Sequence, residues 1–172
     1  DIELVGRGEE GGPRAMMSPM SLAVLVDMAD LQASDYVLDI GCLSGYSSAV
    51  LAQIAESVVA VESQPQLVKL ATETLADLEI VNVAVVECGL TEGQANQGPY
   101  DVILINGAVE AVPDNLLDQL KDGGRLVTVV FENGVGHAER FVKSGAVVSS
   151  SRKRDLTAPM LTDFETESSF AF

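Results

Sequence analysis

Five short apolar runs recur along this chain with helical patterns between them: Tyr36–Ile40, Ser57–Val61, Val81–Val86, Tyr100–Ile105 and Arg125–Phe131. After the first run, residues 46–54 read as a helix. After the second, Leu67, Leu70, Ala71, Thr74 and Leu78 supply a buried helical face, and Ser63 with Gln66 has capping-box spacing around Pro65. A polar, Gly-containing loop over 90–99 precedes the fourth run, and a helix around 115–120 ends at Gly123-Gly124, ahead of the fifth. Strands that are apolar on both faces and alternate with helices call for a parallel sheet covered on both sides. Pro19 opens one more helix ahead of the first strand, with Leu22, Leu25, Val26 and Ala29 on one stripe and Asp27 and Asp30 off it.

The last third changes character. Residues 138–143 and 146–154 flank Ser144-Gly145, a turn with no room for a crossover helix, so these two strands must run antiparallel. His137, among Asn133, Gly134 and Gly136, reads as a loop residue rather than a catalytic base. The predicted fold is therefore α/β, a doubly wound, mostly parallel seven-stranded sheet ending in an antiparallel hairpin. That arrangement is the one used by class I S-adenosylmethionine (AdoMet)-dependent methyltransferases. The stretch up to Arg14 is rich in Gly and Glu and reads as a loop, which gives an N-terminal arm over residues 1–16 and a methyltransferase domain over 17–172.

The turn after the first strand carries the chemistry: Asp39-Ile40-Gly41-Cys42-Leu43-Ser44-Gly45-Tyr46. In doubly wound folds ligands bind beyond the carboxyl ends of the strands, where the first loop enters a helix. Gly41 permits a sharp turn with a ligand against the backbone, and Gly45 lets the helix start close to the sheet. A dinucleotide fingerprint would need G-x-G-x-x-G. Here the spacing is Gly41-x-x-x-Gly45, and Asp39 two residues earlier suits a cationic group and repels a pyrophosphate. On its own this is also what a plain strand–turn–helix joint looks like. Glu62, ending the second strand, adds a second acid in reach of the same crevice, placed to accept both hydroxyls of a ribose. Asn106, at the end of the fourth strand, is either a substrate-facing group or half of a turn-forming Asn-Gly pair. Cys42 and Cys88 read as small residues lining the crevice.

Charge narrows the partners. With 26 acidic and 10 basic residues the net charge is −16, a field that repels phosphate backbones, so nucleic acid is not an expected partner. The one dense basic cluster, Arg152-Lys153-Arg154, reads as a solvated strand face. No apolar run approaches the roughly 18 residues of a membrane span, and two cysteines do not make a disulfide framework. The expectation is a cytoplasmic protein with free thiols and no membrane partner, and no oligomeric state is predicted.

From Met17 to Val130 the sequence resembles the protein-L-isoaspartate O-methyltransferases. The residues that carry the likeness are Val37-Leu38-Asp39-Ile40-Gly41 with Ser44-Gly45-Tyr46, Val61-Glu62, Pro99-Tyr100-Asp101-Val102-Ile103, Val112-Pro113 and the stretch Leu120-Lys121-Asp122-Gly123-Gly124-Arg125-Leu126-Val127. The hairpin and Leu161-Thr162-Asp163-Phe164 resemble a divergent proteobacterial branch, and most of the N-terminal helical region usual in that family has no counterpart here. The resemblance implies methyl transfer from AdoMet to the α-carboxyl of an L-isoaspartyl residue in a damaged protein. It implies a cofactor site made of Asp39, Gly41, Cys42, Leu43, Ser44, Gly45, Glu62, Ser63, Cys88 and Gly89, with Ser18 and Asn106 toward the substrate.

Three departures accompany the likeness. Leu43 stands where the family usually has a third glycine. Glu87-Cys88-Gly89 replaces a Gly-Asp-Gly whose acid faces the adenine amino group. Met17 occupies the position of a substrate-orienting Ser, with Ser18 beside it. Together they support an alternative: a degenerate domain that binds AdoMet or its product S-adenosylhomocysteine (AdoHcy) without isoaspartyl activity, acting in interaction or sensing.

Overall fold

The computed structural model describes residues 2–5 and 14–165. Two short strands, β1 (Ile2–Val5) and β2 (Arg14–Met16), pair antiparallel into a two-stranded sheet. The arm is therefore not wholly a loop, because residues 2–5 and 14–16 satisfy one another's backbone groups as a hairpin. Next come α1 (Pro19–Ala29), β3 (Tyr36–Ile40), α2 (Tyr46–Ala52), β4 (Ser57–Glu62), α3 (Pro65–Asp77) and β5 (Val83–Glu87). The chain continues through β6 (Tyr100–Val109), α4 (Asp114–Asp118), β7 (Leu120–Glu132), β8 (Val135–Ser144) and β9 (Val147–Asp155).

The seven-stranded sheet has the order β5-β4-β3-β6-β7-β8-β9. The five strands from β5 through β7 pair parallel, whereas β7–β8 and β8–β9 pair antiparallel. The expected doubly wound sheet with its terminal hairpin is thus present, and β3 has β4 on one side and β6 on the other. The chain's crossovers leave β3 in opposite directions at this point, which makes its carboxyl end the switch point where ligands bind in doubly wound folds.

Side-chain alternation along the central strands separates two cores. Val37, Val58, Val102, Leu104 and Val127 pack with Leu22, Leu25 and Ala29 of α1 and Leu51 of α2. Leu38, Ile40, Val59, Val61, Ile103, Ile105 and Leu126 pack on the other face with Leu116 of α4 and Phe164. Asp39 shares the parity of Val37, so it points toward the α2 side.

Several elements depart from the sequence pattern for local reasons. The N-cap of α3 is Gln64, not Ser63, because Ser63 and Gln64 direct their backbone N–H groups at the Glu62 carboxylate. The buried face of α3 is Leu67, Ala71 and Leu75, an i, i+4, i+8 row, while Leu70 and Leu78 are 39% and 59% exposed. Strand β5 starts at Val83 rather than Val81, which is 94% exposed at the edge of the sheet. Strand β6 runs past Ile105 to Val109, and α4 is only five residues long. His137 lies within β8, not in a loop, and its Nδ1 is 2.8 Å from Asp155 Oδ1 of β9. The cause is the turn ahead of it. Asn133 and Gly134 have φ of +52° and +84°, the left-handed pair that closes a two-residue hairpin and lets β8 start at Val135.

One side chain fastens the amino-terminal half to the sheet. Arg125 of β7 reaches Asp35 with both Nη2 (2.6 Å) and Nη1 (3.3 Å), and donates from Nε to Ala29 O and from Nη2 to Asp30 O. It thereby satisfies terminal carbonyls of α1 while tying the start of β3 to β7. Both partners are nearly buried, so removing one strands the other's charge in the interior. Arg125→Met is expected to cost about 3–5 kcal/mol of unfolding free energy in urea titration; a loss under about 1 kcal/mol would show the pair to be dispensable.

Candidate active site at the end of the central strands

Two carboxylates converge where β3 and β4 end, and both are fully buried: Asp39 and Glu62 are each 0% exposed. Asp39 Oδ2 accepts hydrogen bonds from Ser47 Oγ and Ser48 Oγ, each at 2.6 Å, in the first turn of α2. Ser47 Oγ in turn accepts from Asn106 Nδ2 at 2.9 Å. Among the described residues, this chain of polar groups leaves two interior atoms without a partner, Asp39 Oδ1 and Asn106 Oδ1. Burial pushes the Asp39 carboxyl up to about 6, against the pull of the two serine hydroxyls, and the neighbouring Glu62 charge adds to the rise.

Glu62 is satisfied on every side. Oε1 accepts from Ser63 N at 2.9 Å, Gln64 N at 3.4 Å and Ser63 Oγ at 3.5 Å, and Oε2 accepts from Leu43 N at 3.1 Å. The last donor is Arg14 Nη2 of β2, 3.1 Å from Oε2, in an ion pair whose side chains are 1% and 0% exposed. Arg14 Nη1 also lies 3.9 Å from Asp163 Oδ2, whereas Nε and Nη1 make no hydrogen bond with the described residues.

The glycine loop between the two acids folds tightly. Gly41 N donates to Val61 O at 2.8 Å, and Gly45 N donates to Cys42 O at 2.8 Å. Gly41 has φ +79°, and a Cβ there would meet Arg14 Nη2 at 3.0 Å, so this glycine admits the guanidinium against the backbone. Gly45 has φ +83° and faces Ala71 and Leu75 of α3 rather than the sheet. Leu43, at the position of the family's third glycine, also adopts a left-handed conformation, φ +53°. Its side chain is 1% exposed and packs with Leu67 of α3 and Met16 of β2, which offsets the backbone cost. Ser44 lies half-buried within the turn.

The remaining predicted residues are spread around this centre. Cys42 is buried, and burial first, then the Asp39 and Glu62 charges, pushes its thiol well above the ordinary range. Cys88 N donates to Glu62 O at 3.1 Å and its Sγ lies 3.5 Å from Glu92 Oε2, so its backbone touches the crevice while its thiol turns to Glu92. Gly89 packs against the same Glu92 side chain. Ser18 is the N-cap of α1: its Oγ accepts from Ser21 N at 3.1 Å and donates to Ser21 Oγ at 2.9 Å. Met17 is buried in the core beneath it. Sequence reasoning missed Arg14, Ser47, Ser48 and Leu161. The serines had a signal, two hydroxyls in the first turn of the helix after the acid. Arg14 had none, because its distance from Glu62 along the chain is closed only by the fold.

The carboxyl-terminal segment covers the other side. Leu161 N donates to Ala108 O at 2.9 Å, and a Cβ on Gly107 would lie 2.5 Å from Leu161 Cγ, so only glycine at 107 lets this segment settle over the end of β6. The same Leu161 side chain reaches Gly41.

A family model described as protein-L-isoaspartate(D-aspartate) O-methyltransferase matches residues 10–162. The chain belongs to the protein-L-isoaspartate O-methyltransferase family. A protein of that name from Syntrophobacter fumaroxidans is 38% identical over 120 residues, covering 70% of this chain and 56% of its own length. Another, from Methanospirillum hungatei, is 34% identical over 134 residues, covering 78% of this chain and 62% of its own length. The chain thus spans rather more than half of these relatives. A solved protein-L-isoaspartate O-methyltransferase superposes with a TM-score of 0.80 at 26% identity, over 92% of this chain and 51% of the other. A Plasmodium falciparum structure, described as a putative member in complex with S-adenosyl-L-homocysteine, shares the fold with a TM-score of 0.71 at 19% identity, over 95% of this chain and 81% of the other.

The raised Asp39 carboxyl carries a testable cost. A folded-state value near 6 against 3.8 means the fold binds this proton more tightly than the unfolded chain does. Its contribution therefore falls as pH rises through that window, by roughly 3 kcal/mol in all. Asp39→Asn removes the titration and is expected to unfold at higher urea than the parent above pH 6, the gap closing toward pH 4. A gap independent of pH would show that Asp39 does not titrate in this window.

Proposed function

We propose that this chain is the AdoMet-binding methyltransferase domain, over residues 17–172 with an arm over 1–16, of a cytoplasmic protein-L-isoaspartate O-methyltransferase acting on isoaspartyl sites in damaged proteins. The observation that carries the reading is the pair of buried acids at the topological switch point, with Asp39 Oδ1 and Asn106 Oδ1 in the interior and unpartnered among the described residues. Buried polar atoms without partners are uncommon, and two from adjacent strands suit a ligand with donor groups. The residues fit AdoMet once Arg14 releases Glu62. Glu62 would take the ribose hydroxyls, Asp39 the ammonium of the methionine moiety, and the 41–45 loop, including Cys42, Leu43 and Ser44, would line its path. Ser63, Cys88 and Gly89 would border the base.

AdoMet, when bound, supplies an electrophilic methyl group that passes to a carboxylate oxygen of the acceptor, leaving a methyl ester and AdoHcy. A carboxylate is ionised at neutral pH, so the chain need supply no strong base, only alignment and dryness. Leu161, which lies beside Gly41 and Gly107, would exclude water on one side and β2 on the other. Asn106, its Nδ2 held by Ser47, presents an acceptor oxygen, which suits an N–H of the acceptor backbone or the ammonium. Ser18 is engaged as a helix cap, so a substrate role would have to displace that bond.

The Arg14–Glu62 pair and Leu43 favour the second reading, a domain that binds AdoMet or AdoHcy without transferring the methyl group. The two readings part in one assay. Calorimetric titration is expected to give micromolar AdoMet and AdoHcy binding, weakened about tenfold or more by Glu62→Ala, on the order of one charged hydrogen bond. An isoaspartyl peptide is then expected to take up a base-labile methyl group from labelled AdoMet, and binding without uptake would favour the second reading. Because ligand ammonium stabilises ionised Asp39, affinity should rise with pH below about 6, by up to about tenfold per unit with proton release, and level off above it. Asp39→Asn should flatten that slope; an unchanged slope would remove Asp39 from the site.

A further inference from the structure

We propose that Arg14 is the affinity-setting residue of the crevice, an internal cation that occupies the ribose seat at Glu62 and must be exchanged for the cofactor. The inference rests on the crevice being the AdoMet site. Three observations carry it. Arg14 Nη2 takes Glu62 Oε2 at 3.1 Å, while three backbone N–H groups and the Ser63 hydroxyl hold the rest of that carboxylate, so no ligand hydroxyl can bind while Arg14 remains. The guanidinium lies against Gly41, in the space a ligand would use along the loop. Its Nε and Nη1 are buried without hydrogen bonds among the described residues, an uncommon state that suits a group able to take up other partners.

The exchange has a physical logic. Two fully buried carboxylates side by side are costly without a cation, at several kcal/mol per ion. Arg14 answers the Glu62 charge while the site is closed, and when it leaves, ribose hydroxyls take its place at Glu62 while a ligand ammonium answers Asp39. Asp163 gives the departing guanidinium a place to go. It is 3.9 Å from Nη1 and its side chain is 27% exposed, so it offers a wetter seat beside the first. Besides that ion pair, the strand bearing Arg14 is seated by a small apolar contact, Met16 with Leu43 and Leu67, so the exchange requires β2 to lift once the pair is broken. Leu43 in place of the family's glycine supplies the other half of that latch.

The experiment uses AdoHcy as the probe and the full chain. Arg14→Gln is expected to tighten AdoHcy binding at least tenfold in calorimetry, because the ribose seat stands open. Asp163→Asn is expected to weaken binding several-fold, because Arg14 loses its alternative partner; a merely structural role would not give opposite signs. The chain has no tryptophan, so Met16→Trp adds a single reporter on β2, with Arg14 intact should the glutamine variant fold poorly. Its emission should shift to the red and saturate with AdoHcy. Weaker or unchanged binding in Arg14→Gln, or a silent tryptophan in a Met16→Trp chain that binds, would overturn the exchange while leaving the cofactor site standing. No AdoHcy binding by the parent or by Arg14→Gln would sink the cofactor reading itself, and this inference with it.

Discussion

Two carboxylates buried at the ends of adjacent parallel strands set the terms for everything around them. Asp39 and Glu62 are each fully enclosed, and an interior that holds two negative charges must answer both. The answers differ. Asp39 is answered by two serine hydroxyls and by a proton affinity raised to about 6, so it begins to lose its charge just below neutrality. Glu62 is answered by backbone N–H groups from Leu43, Ser63 and Gln64 and by the guanidinium of Arg14. The tight 41–45 loop, the start of α3 and the seating of the arm all follow from satisfying that one carboxylate.

The rest of the fold holds this arrangement in place. Parallel pairing of β3 with β4 and β6 brings the acids and Asn106 to one end of the sheet. Arg125 locks the opposite end by joining α1, the start of β3 and β7. The terminal hairpins lengthen the sheet on the side away from β4, and the segment after β9 returns to place Leu161 over Gly107 and Gly41. The chain itself covers this end of the sheet from both sides, with the Arg14–Glu62 pair beneath that cover.

Three family departures have distinct structural meanings. Leu43 accepts a left-handed backbone that glycine would take freely, and recovers the cost by packing between α3 and the arm. Met17 joins the core under α1, and Ser18 beside it becomes a helix cap, so both side chains are already engaged. Cys88 turns its thiol toward Glu92, leaving its backbone to border the crevice.

Local periodicity was enough to read the alternating strands and helices, the doubly wound order and the terminal hairpin, because buried parallel strands are apolar on both faces and tight turns force antiparallel pairing. The acids and the glycine spacing pointed to the crevice for the same reason: residues that serve one strand end are neighbours in the chain. His137 reads as a loop residue among Asn133, Gly134 and Gly136, because the start of β8 at Val135 is set by its pairing with β7. What no local pattern carried was contact across the chain. Arg14 meets Glu62 across 48 positions, Arg125 meets Asp35 across 90, and Leu161 closes on Gly107 only after the sheet has turned back on itself. Sequence by itself determined which groups could form the site, through spacing within single elements. Tertiary structure alone decided which cation answers Glu62, because that choice depends on two segments brought together only by burial.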